Sequence, residues 1–151
     1  MAVFLNANSS TASQEIVPTP EIIVVRLVQS TVASQNGIFD EQKSAFVAPQ
    51  AGVYRCTVGT TVSGRNNVTD GVIFGFSVNG QPPFPTGNFP DLSTTNILVL
   101  RPGMFTQTPI AQTLSVLLKL SQGDTVQFAL QGVQDALFNI SWSYMAVTLV
   151  S

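Results

Sequence analysis

Cys56 is the only thiol in the chain, and the sequence contains no histidine. A cysteine nucleophile needs a base or a cationic neighbour to become a thiolate. Arg55 adjoins Cys56, but successive residues of a strand point to opposite faces. The pair therefore reads as a buried thiol beside an outward-facing cation. The missing histidine excludes Ser-His-Asp and Cys-His catalysis and the commonest zinc ligand. With a single cysteine there is no intrachain disulfide. Asp70, Asp91, Asp124 and Asp135 sit at turns, where aspartate is favoured because it bonds turn backbone. Asp40-Glu41 is too small a cluster to bind calcium. The expectation is a protein that is not an enzyme and that uses no metal or cofactor.

Charge narrows the partners. The chain carries six basic and eight acidic residues, a net −2 and 9% charged overall, against roughly 25% in an ordinary domain. Arg26, Lys43, Arg55, Arg65, Arg101 and Lys119 are scattered, whereas nucleic-acid binding needs a clustered basic footprint. No apolar run approaches the ~20 residues that span a bilayer. No Lys or Arg precedes the short apolar start, so no signal peptide is expected. The sequons at Asn8, Asn67 and Asn139 are then read as chance.

Two segments look suited to contact. Gln81–Asp91 holds four prolines in eleven residues; proline removes a backbone donor and clashes with helical geometry, so this is read as a surface loop. Gly64-Arg65-Asn66-Asn67 reads as an exposed tip. Phe84, Phe89, Arg65 and Asn66 are the candidate partner-binding residues.

The elements that would carry these loops read as strands. Nineteen valines, fifteen threonines and ten phenylalanines favour β structure. Turn residues separate eight candidate strands: Glu21–Gln29, Ser44–Ala48, Gly52–Val62, Val72–Val78, Asn96–Arg101, Thr113–Leu120, Asp124–Gln131 and Phe138–Val150. The period-two pattern is clearest where Val126, Phe128 and Leu130 alternate with Thr125, Gln127 and Gln131. Leu114–Leu120 is the one stretch that also fits a short helix. Eight strands without βαβ alternation predict an all-β, antiparallel jelly-roll sandwich over residues 21–151. Residues 1–20 read as a polar N-terminal arm, with Val3, Phe4 and Leu5 as a candidate docking anchor. The 44% apolar content leaves surface for a subunit interface, since obligate homo-oligomer contacts are more apolar than ordinary surface. Phe76, Phe128, Trp142 and Tyr144 are candidates for that interface or for the core.

Phe46-Val-Ala-Pro-Gln-Ala-Gly52-Val-Tyr54-Arg-Cys56 resembles the aromatic, turn and Gly-x-Tyr start of a core strand in the jelly-roll superfamily of tumour necrosis factor and the complement globular head. Leu118-Lys-Leu120-Ser-Gln-Gly123-Asp124-Thr-Val126 is similar to that family's Leu-x-Leu, Gly-Asp hairpin. The closing strand lacks the complement branch's Phe-x-Gly pattern, and no calcium cluster is visible. The resemblance implies a jelly roll and a homotrimer.

Together these features lead to the expectation of a non-enzymatic virion structural protein. It would be a trimeric jelly roll that decorates or cements a bacteriophage capsid, or forms a small surface spike, assembled in the host cytoplasm and displayed on the virion. Its partners would be the major capsid protein or other virion proteins. The alternative is a carbohydrate- or receptor-binding module of the complement globular-head type, reading a host glycan or receptor.

Overall fold

The computed structural model describes residues 3–9, 13–16, 23–29, 38–64, 71–81, 97–100, 110–133 and 138–151. Among them there is no helix. The strands are β1 Phe4–Ser9, β2 Ser13–Ile16, β3 Ile23–Val24, β4 Leu27–Gln29, β5 Phe39–Asp40, β6 Ala45–Val47, β7 Gly52–Gly64, β8 Gly71–Val78, β9 Ile97–Leu100, β10 Ile110–Leu120, β11 Thr125–Val133 and β12 Phe138–Leu149. They form two sheets in which every pairing is antiparallel. Sheet I runs β10-β7-β12-β1-β4, with β2 also on β12; sheet II runs β5-β6-β11-β8-β9, with β3 also on β11. The segment that also fitted a helix is extended as β10, paired along its full length with β7.

The core is what period-two alternation predicts. Tyr54, Cys56 and Val58 from β7, Met145 and Val147 from β12, and Val116 and Leu120 from β10 face Phe46, Phe76, Val126, Phe128 and Leu130 of sheet II. Phe128 pairs with Phe76 across β11 and β8, and both are buried, so this pair belongs to the core. The Phe46 and Tyr54 rings meet edge-on with centroids 5.4 Å apart, and the Tyr54 hydroxyl donates to the Gln50 carbonyl at 2.7 Å. Gly52 is required by close approach: an added Cβ would come within 2.6 Å of a Leu149 methyl and 2.8 Å of the Ser151 carbonyl.

Part of the expected N-terminal docking arm, residues 4–9 and 13–16, is paired into sheet I. Val3, Leu5 and Ala7 are buried, and β1 lies between β12 and β4. Its polar positions, Asn6 and Asn8, are simply the other face of a strand. Of the three anchor candidates only Phe4 is exposed. The expected strand Glu21–Gln29 is divided: β3 pairs in sheet II and β4 in sheet I. Val25 and Leu27 are both buried while Arg26 between them is exposed, so the crossing preserves alternation across two sheets. Buried Ser44 holds the crossing. Its hydroxyl accepts from the Leu27 amide at 2.9 Å and donates to the Leu27 carbonyl at 3.4 Å.

One end of the sandwich is tied by Asp124. Asn79 and Gly80 take positive φ of 52° and 74°, as a tight hairpin turn requires. Asp124 accepts from the Asn79 side-chain amide at 2.9 Å and from the Ser121 amide at 2.7 Å. The Asn79 side-chain oxygen in turn accepts from the Thr125 amide at 2.9 Å. These bonds, the Asn79 one foremost, hold the Asp124 carboxyl below its ordinary value of 3.8. A depressed carboxyl stabilises the fold above its unfolded pKa, and that contribution is lost as pH falls through the folded value. Asp124→Ala should therefore lower the urea midpoint at pH 7, and the gap to wild type should close as pH drops below about 4.

Candidate functional site

The outer face of sheet I is built by the alternation that fills the core. With Tyr54, Cys56 and Val58 turned inward, β7 turns Arg55, Thr57, Gly59 and Thr61 outward. The register then sets rows across the sheet: Phe4–Thr148–Arg55–Leu117, Asn6–Ala146–Thr57–Ser115, and Asn8–Tyr144–Gly59–Thr113. Among the described residues, the large apolar side chains left exposed are Phe4, Val28, Leu117, Trp142 and Val150. All five belong to sheet I or directly follow it. Between them lie mostly Thr, Ser and Asn, with Tyr144 and few charges. The Thr57 and Ser115 hydroxyls, 2.9 Å apart, bond each other. Tyr144 lies over Gly59, where an added Cβ would come 2.7 Å from the ring carbon bearing the hydroxyl. Arg55 and Lys119 are the charged side chains described on this face. The four lanes of β10, β7, β12 and β1 with β2, at ~4.8 Å spacing and about eleven residues at ~3.3 Å, give a face of roughly 20 by 35 Å, about 700 Å², with Val28 of β4 in a fifth lane at its edge.

Trp142 stands apart in its backbone. Ser141 pairs with Thr61 and Tyr144 with Gly59, so Trp142 and Ser143 together oppose the single residue Thr60. This is a β-bulge, and Trp142 takes φ +53° at the position such bulges ordinarily give to glycine. The left-handed conformation costs a residue with a Cβ about 1–2 kcal/mol. Ser143 turns inward and its hydroxyl bonds that of buried Thr60 at 2.7 Å. Trp142 turns outward and is 72% exposed.

The structure thus separates the four aromatic candidates: Phe76 and Phe128 fill the core, whereas Trp142 and Tyr144 lie on the outer face of sheet I. Phe84, Phe89, Arg65 and Asn66 lie outside the described residues, as do Asp70, Asp91 and Asp135. Asp40 accepts from the Gln42 and Lys43 amides at 3.0 and 3.2 Å, a turn-forming role. Leu117, Val28 and Val150 were not singled out by sequence. The available signal was parity, since Leu117 shares its face with Thr113, Ser115 and Lys119 rather than with Val116 and Leu120. Cys56 is fully buried, and burial pushes its thiol up to about 12, which fits packing and not nucleophilic chemistry.

No protein-family model matches the chain, and no curated protein matches it. Solved structures do. The tumour necrosis factor Eiger of S. frugiperda superposes with a TM-score of 0.66 at 9% identity, over 99% of this chain and 93% of that one. The globular domain of zebrafish complement 1qA superposes with a TM-score of 0.63, also at 9% identity, over 100% of this chain and 98% of that one. The fold is a jelly roll of the kind these two proteins share.

A thiol held neutral by burial should resist alkylation in the native protein at pH 8 and react once urea unfolds it. Its raised value also stabilises the fold below the unfolded thiol value, with loss as pH rises toward the folded one. Stability should therefore fall from about pH 9 upward, and Cys56→Ala should flatten that decline.

Proposed function

We propose that this chain is a non-enzymatic binding module that works as a homotrimer, with the outer face of sheet I forming the contact between copies and the loops meeting a receptor or glycan. The observation that carries the reading is the gathering of every described exposed large apolar side chain on one sheet of a jelly roll. The size of the face, about 700 Å², approaches the ~800 Å² per partner of a standard stable interface. Likeness to tumour necrosis factor and complement 1qA folds supports a binding module of this architecture. It offers no support for the expected role in decorating a bacteriophage capsid. Phe84 and Phe89, with Arg65 and Asn66, remain the sequence's candidates for the receptor or glycan contact. Three linked copies would bind by avidity, the second and third contacts becoming intramolecular.

Light scattering should give three times the 16.1 kDa chain mass. Leu117→Asp places a charge in the proposed contact and should yield a folded monomer. A wild-type monomer at all concentrations would reject the homotrimer. Labelled trimer should bind a receptor or glycan panel saturably. Joint Phe84→Ala and Phe89→Ala substitution should abolish that binding while leaving the mass unchanged; unchanged binding would move the contact elsewhere.

A further inference from the structure

The bulge in β12 is needed by the core, but it does not need a tryptophan. Glycine adopts the left-handed conformation without penalty, and asparagine tolerates it. Trp142 instead brings a strained backbone and, at 72% exposure, gains little packing within its own subunit. Strain retained without local benefit marks a group whose contact lies outside the subunit.

We infer that Trp142 is the anchor residue that a second copy of the chain covers, an inference that rests on the proposed homotrimer. Trp142 belongs to β12, which has β7 on one side and β1 and β2 on the other, so it stands inside the face rather than on its rim. Interface anchors are typically tryptophan, tyrosine or arginine near the centre of the contact. On the same face the Thr57 and Ser115 hydroxyls are already paired with each other. Such a surface is completed by apolar cover and shape, and its area is close to what a stable contact between two copies needs. Subunit stability and assembly therefore pull in opposite directions at this one position.

Trp142 is the chain's only tryptophan, so intrinsic fluorescence reads its cover directly. In the wild-type trimer, acrylamide quenching should be several-fold weaker than in the Leu117→Asp monomer, with emission shifted to the blue. Val150→Asp serves as a second dissociating variant if Leu117→Asp does not fold. Trp142→Gly should give a subunit that unfolds at higher urea than the wild-type subunit under dissociating dilution, yet assembles about tenfold or more weakly. A wild-type trimer whose tryptophan is quenched as freely as the monomer's overturns the inference and leaves the homotrimer standing. So does Trp142→Gly assembling as tightly as wild type. A wild-type chain that is monomeric at all concentrations overturns the homotrimer and this inference with it.

Discussion

Ile140 and Met145 are both buried on the inner side of β12, although an odd number of positions separates them. Strict alternation would send one of them to the outside, because a one-residue slip moves a strand's whole apolar set to the other face. The extra residue at Trp142-Ser143 absorbs the mismatch. On one side of it, Phe138–Ser141 pair with β2 and the end of β7; on the other, Tyr144–Leu149 pair with β1 and the rest of β7. Both halves of the strand thereby present their apolar residues to the same core. The rows of the outer face, including the position of Tyr144 over Gly59, follow from that correction. Core packing and surface display are two results of one irregularity.

Much of the fold was legible in residue order. Gly52–Val62, Val72–Val78 and Phe138–Val150 recur as β7, β8 and β12 with small changes at their ends, because alternating Val, Phe and Tyr between turn residues leaves few other options. Both segments that carried the family resemblance also have local causes. Gly52 leaves room for Leu149, and Gly123 takes φ +88° ahead of the Asp124 turn. The failures share one origin. β1 and the β3–β4 crossing are short, and each reads as polar or continuous until its neighbours are known. Asn6 and Asn8 look like arm residues, and only pairing with β12 turns Leu5 and Ala7 into core. The candidate surface was harder still. Trp142 stands out by residue type, but nothing in the order Ser-Trp-Ser-Tyr announces a bulge.

The two solved structures that share this fold do so at 9% identity, which fits a jelly roll specified by pattern more than by particular residues. Any apolar residue of suitable size fills an inward position, provided that volume and alternation hold. What distinguishes this chain is its surface. Where many domains use charge, it presents Thr, Ser, Asn and a few large apolar groups, and two cations mark the side of the face near β10.

Pairing of β1 with β12 also has a consequence in time. β1 meets its main partner only after all the other described strands have been made, and synthesis proceeds at roughly 5–20 residues per second. Until then Leu5 and Ala7 have no core to enter, and the lane they occupy in sheet I stays open. Pairings this distant in sequence are slow to close. Sheet II can therefore form before sheet I, and β12, made after the other described strands, completes sheet I from the middle outward.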